Sequence, residues 1–261
     1  MKYQIPLAPG AVTQFLLRVV VCLILLSSLS QLTVYFFPDF RLGHYFSKVF
    51  SVNYEANVPS FYSFFTLLFS SLLLGAIAHA KNLESCRYKN HWKILSFIFL
   101  YIFLDEALEL HEQLIGPTGK LINATGFFYY SWILPVGFLV AIFLLSYSKF
   151  LFHLPLSTRK FFVAACALYI GGAIGMEMPG GYLAYTTGTQ SVPYLIVMTI
   201  EESLEMLGIV VFIHGLMSYI KIYLGGVRWN IYIEGKKTQV TETPNIGIPA
   251  LREPANRNLS R

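Results

Sequence analysis

Six predominantly apolar stretches, separated by shorter polar segments, occupy the chain between residues 14 and 224. An α-helix needs about 20 apolar residues to cross the hydrocarbon of a bilayer. The pattern therefore predicts membrane spans over about 14–37, 61–80, 94–115, 127–147, 161–184 and 194–224. Arg18 interrupts the first stretch near its inner end, where a long side chain can extend to the interface. The apolar run there is too long for a cleaved leader and lacks a small-residue cleavage site, so a retained span is expected. The expected fold class is all-α, a polytopic membrane protein built as a six-helix bundle over residues 1–224. From residue 225 the chain turns polar, and 225–261 is expected to be a mostly disordered inner-side tail. Residues 227–233 could form a short strand or lie at the membrane interface.

Composition agrees with this class: 55% of residues are hydrophobic and 13% charged, where a soluble domain carries about 25% charged. The placement of positive charge then orients the bundle. With six spans and both termini inside, 16 of the 19 Lys and Arg residues fall on the inner side, and Arg41, Lys48 and Lys120 face out. That asymmetry predicts a multi-pass protein of a cell inner or plasma membrane with both termini cytoplasmic. No compact basic patch with interleaved aromatics occurs, so no nucleic-acid partner is expected. The expected partners are the lipid bilayer and either a small ion or an apolar small molecule. Cys22, Cys86 and Cys166 show no metal-ligand spacing and no disulfide framework. Asn123-Ala124-Thr125 is a glycosylation acceptor on the expected outer side, relevant in a eukaryotic source. Gly171, Gly172 and Gly175 form a small-residue face suited to close helix packing, within or between chains, which leaves oligomeric state open.

The acids change the picture most. Eight of the 14 acidic residues fall inside the apolar stretches: Asp105, Glu106, Glu109 and Glu112, then Glu177, then Glu201, Glu202 and Glu205. An ionised carboxylate in hydrocarbon costs several kcal/mol, so such groups usually line a cavity, a metal site or a proton path. At ~100° per residue, Asp105, Glu109 and Glu112 would share one stripe of an unbroken helix, and Glu201 and Glu205 another, with Gly208 continuing it. Counting ~1.5 Å of rise per residue places all three groups between mid-membrane and the outer leaflet. The expected metal- or proton-binding set is Asp105, Glu109, His111, Glu112, Glu177, Glu201 and Glu205, flanked by Glu106 and Glu202. No Lys or Arg lies at that depth, so solution protons or cations would have to balance the carboxyls.

A repeat is also expected from the sequence. Asp105-Glu106-Ala107-Leu108-Glu109-Leu110 resembles Glu201-Glu202-Ser203-Leu204-Glu205-Met206, and Gly75-Ala76-Ile77 resembles Gly172-Ala173-Ile174 at nearly the same offset. Three intervening spans would invert the second copy, as in secondary transporters built of two three-helix repeats. Pro179, Gly180 and Gly181 are expected to break or kink the fifth helix at its outer end.

The donor set is rich in oxygen and poor in nitrogen, which suits a divalent cation such as Mn²⁺, Mg²⁺ or Ca²⁺, with Fe also considered. The Glu-x-x-His pairs of di-iron bundles are missing, because His111 follows Glu109 by two residues. No phosphate-binding loop or His-Glu-x-x-His motif occurs. The leading expectation is a cation- or proton-coupled secondary transporter. The alternatives are a membrane-embedded metal enzyme acting on a lipid or quinone-like substrate, its rim formed by Tyr129, Tyr130 and Tyr182, and a non-catalytic assembly subunit.

Overall fold

Proline at the first helical positions, where a missing N–H leaves nothing unsatisfied, starts three of the helices in the computed structural model, which describes residues 2–6, 8–225 and 228–232. In chain order the helices are α1 (Pro9–Phe36), α2 (Arg41–Phe50), α3 (Val58–Leu83), α4 (Lys89–Leu108), α5 (Ile115–Ile122), α6 (Ile133–His153), α7 (Leu156–Ile170), α8 (Glu177–Thr187) and α9 (Val192–Tyr223). Short 3-10 turns occupy Glu112–Leu114 and Gly126–Phe128, and a π-helical segment, Gly171–Met176, joins α7 to α8. Asn57 caps α3 by accepting from the Ser60 backbone N–H at 3.1 Å. Separately, β1 (Lys2–Pro6) pairs with β2 (Arg228–Tyr232) in a two-stranded sheet, which meets the expectation of a short strand over 227–233. The rest of the expected tail, 233–261, lies outside the described residues.

Among the described residues, four helices are long and apolar enough to cross a membrane: α1, α3, α6, and α7 continued through the π segment into α8. Only 11–39% of their apolar windows is buried, and large side chains such as Leu25, Phe65, Leu72, Phe138 and Leu145 face outward. So much exposed apolar helix surface marks contact with an apolar medium. Helices α4 and α9 have comparable length but carry the acids.

The most enclosed element is α9. One packed cluster joins Leu74, Trp92, Phe150, Phe162, Phe212 and Leu216, from five helices. A second joins Val20, Leu23 and Val52 to Met206 and Val210 of α9, and a third joins Leu67 to Ile209 and Ile213. Close approach replaces bulk where α7 meets α9. A Cβ on Gly208 would stand 2.8 Å from the Tyr169 backbone N and 3.1 Å from the Ala165 carbonyl. Small residues at such crossings let helix backbones touch. Helices α3 and α4 are tied differently, by reciprocal bonds: Ser71 Oγ donates to the Ser96 carbonyl at 2.8 Å and Ser96 Oγ to the Ser71 carbonyl at 2.9 Å.

Three boundaries differ from expectation. Helix α4 ends at Leu108, because Glu109 adopts a left-handed conformation with φ 51°. The stretch 94–115 is therefore not one helix, and Asp105, Glu109 and Glu112 do not share a helical stripe. The fourth helix starts at Ile133, since Gly126–Phe128 forms a separate turn. Pro179, Gly180 and Gly181 do not break the fifth helix. They sit in the first turns of α8, which runs on to Thr187, and the irregularity comes earlier, at the π segment.

Candidate functional site

The acids of α9 project into the bundle. Glu201 is 5% exposed, and its Oε2 has no hydrogen-bond partner among the described residues. Glu177, 8% exposed, faces it from the start of α8, with the two carboxyls within hydrogen-bond reach. The indole N–H of Trp132 donates to Glu177 Oε1 at 3.1 Å. One turn further along α9, Glu205 lines a narrow cleft with Glu106, Tyr169, Ser63 and Thr66. Glu202 lies within electrostatic reach of Glu106, Glu177 and Glu55.

These positions follow from backbone fit. A Cβ on Gly172 would stand 2.8 Å from both the Glu201 carbonyl and Glu205 Cγ. Only glycine lets the π segment lie this close to α9 without displacing it.

The acids of α4 are arranged differently. Asp105 Oδ2 meets His111 Nδ1 at 2.9 Å, while Asp105 Oδ1 is buried without a partner. The His111 ring lies against Trp132, with centroids 4.7 Å apart. One indole thus touches both groups of acids, through its ring face and through its N–H. Glu112 is exposed, within electrostatic reach of Glu109 and Glu177. The structure therefore brings Asp105 and His111 together, and Glu177 with Glu201. It also places Glu106, Glu202 and Glu205 around one interior, with Glu109 half-buried and Glu112 exposed at its edge.

Sequence reasoning left Glu55 out of the site. The segment 51–57 turns back into the bundle: Ser51, Val52 and Asn57 are buried, and the Val52 N–H donates to Ser27 Oγ at 3.0 Å. Glu55 then stands within electrostatic reach of Glu106, Glu109, Glu112, Glu202 and Glu205. Water reaches its carboxyl, yet surrounding protein atoms push its pKa above the usual carboxylate range, aided by the charges of Glu109 and Glu112. Trp132, Tyr169 and Thr66 were also missed, since a single sequence gives no sign of which apolar or hydroxyl side chain turns toward an acid. His44 stays apart, its Nε2 on the Pro38 carbonyl at 2.6 Å.

Charge balance is the outstanding feature of this interior. Among the described residues the ion pairs are Lys81–Glu84 and His111–Asp105, and the first lies at the far end of α3. Also among them, no group of three or more His, Cys, Asp or Glu is placed to hold a metal ion. The carboxyls approach one another in pairs and lines rather than as a closed cage.

No curated protein and no solved structure matches the chain. Residues 16–220 match the family described as a domain of unknown function, DUF8692, and the chain belongs to that family.

Proposed function

We propose that the protein is a six-span membrane transporter in which protons, exchanging with a small cation, occupy the carboxylate-lined interior. Helices α4 and α9 are the third and sixth spans in this reading, with the four apolar helices screening their acids from lipid. Pairing of β1 with β2 brings the two ends of the described chain together, as an even number of crossings requires. The arrangement of α3 with α4, and of α7 and α8 with α9, gives two helix pairs, each with acids on its second member. That supports the inverted-repeat form of the proposal.

One observation carries the reading: the Glu201 carboxyl is 5% exposed and faces another carboxyl, and among the described residues one of its oxygens has no partner and no Lys or Arg pairs with either group. A buried carboxyl needs compensation, and the remaining sources are protons or cations from solution. Carboxyls within reach of one another also make the two compete, because a cation that binds displaces the shared proton.

The test is flux. Vesicles containing the purified protein and an imposed pH gradient are supplied in turn with Na⁺, K⁺, Mg²⁺, Ca²⁺ and Mn²⁺. The expected result is pH-dependent uptake of one of these ions, abolished by Glu205→Gln. No uptake of any of them, or undiminished uptake in the variant, would overturn the proposal.

A further inference from the structure

The π-helical segment has a geometric consequence for Glu177. An α-helix turns ~100° per residue, so the interval from Gly172 to Gly180 would leave these glycines about 80° apart around the axis. A π segment has about 4.4 residues per turn, and running it through Met176 reduces that offset to roughly 10°. Both glycines do face α9 at the same residue. The Gly172 Cβ position meets the Glu201 carbonyl at 2.8 Å, and the Gly180 Cβ position lies 3.8 Å from Glu201 Oε2. Glu177 sits between them, so the extra backbone of the π segment brings its side chain to Glu201. π-bulges are frequent at functional sites, and here the bulge sets one carboxyl against another.

Two carboxyls within hydrogen-bond reach of each other are unfavourable as two bare anions, because neither oxygen could donate and their charges would repel. Trp132 then decides which of them is the acceptor. Its N–H donates to Glu177 Oε1, so Glu177 is already held as an acceptor. Glu201, with its partnerless Oε2 and no comparable donor, is left as the acid.

We propose that Glu177 and Glu201 form a binding site for a single proton, carried on Glu201 as an O–H that donates to the Glu177 carboxylate, with Trp132 and the π segment as positioning elements. This deepens the transport reading by naming the groups that carry the coupled proton. Release breaks the Glu201 O–H bond and passes the proton to water or to a neighbouring carboxylate, leaving two anions for an incoming cation to balance. Rebinding reverses the step without any other reactant.

Infrared spectroscopy of the full chain in detergent tests this at about pH 8, far above the ~4.3 at which an unperturbed glutamate titrates. The wild type is expected to show a protonated-carboxyl C=O band that Glu201→Gln removes. Glu177→Gln and Trp132→Phe should retain the band but shift its frequency, because each changes the acceptor side of the bond. Trp132→Phe keeps an aromatic ring at the position that packs on His111, so it reports on the bond even if a Gln variant fails to fold. Absence of a band sensitive to Glu201→Gln in folded protein would overturn the proposal, as would a band that Glu177→Gln and Trp132→Phe leave unmoved. A band with the expected sensitivities in a protein without flux would support the pair and remove the transport reading.

Discussion

The stretches Asp105–Leu110 and Glu201–Met206 share a pattern of acids and apolar residues, yet the first ends its helix and the second lies within the longest helix of the fold. The difference comes from what surrounds them. Beyond Glu205, α9 continues through Met206, Gly208, Ile209 and Val210, all buried against neighbouring helices, so packing holds the helix together across its own acids. Beyond Asp105 the chain has Leu108 at 59% exposed, then Glu109 and a mixed segment in which His111, Glu112 and Gln113 interrupt the apolar residues before Gly116-Pro117. Little burial is lost by stopping there, and the Glu109 N–H closes the helix onto the Asp105 carbonyl. One motif thus builds a fixed wall of the interior and the other builds its mouth. A local sequence pattern specifies chemistry, and tertiary packing decides which backbone carries it.

The contrast can be broken in three ways, beginning with the largest effect. Gly172→Leu should be the most damaging, since its side chain would have to displace the α9 backbone at Glu201. Overpacking of this kind costs about 3 kcal/mol, read as a lowered thermal midpoint in detergent. A variant as stable as wild type would mean that the π segment does not pack against α9 as described. At the mouth the sign reverses. Glu109→Gly removes a side chain from a left-handed position, where it costs about 1 kcal/mol, so the midpoint should rise. A fall would show that the Glu109 side chain contributes more than its backbone strain costs.

The smallest effect is at Glu55. Its folded pKa is raised, so its favourable contribution is complete below the unfolded value and is lost as pH rises through the folded one. Glu55→Gln should therefore match wild type in acid and become the more stable of the two as pH increases. Its partial exposure keeps the gain to a few tenths of a kcal/mol. A gain that appears on acidification instead would contradict the placement of Glu55 near Glu109 and Glu112.

Much of this organisation was legible in the residues themselves. Long apolar runs located the helices because nothing except burial or lipid accounts for them, and the acids within those runs marked the interior. Helix irregularities were less legible. The end of α4 at Glu109 uses a left-handed residue that is usually glycine, so no residue type announced it. The glycines at 171, 172 and 175 did signal close packing, and the structure places Gly172 in that role. However, a π segment has no sequence signature of its own, and Pro179-Gly180-Gly181 drew the expected break to the wrong turn. Glu55 was hidden because the loop carrying it re-enters the bundle through Ser51, Val52 and Asn57, a path set by hydrogen bonds to Ser27 and the Ser51 carbonyl. The acidic motif repeats in sequence, while the two copies differ in backbone.

The most direct test of the account places Glu201→Gln and Glu112→Gln side by side in the vesicle flux assay, at equal protein content and an equal pH gradient. A carboxylate interior centred on α9 predicts that Glu201→Gln abolishes pH-dependent cation uptake, while Glu112→Gln, at the exposed mouth, retains most of it. Undiminished uptake in Glu201→Gln, or equal loss in both variants, would contradict it.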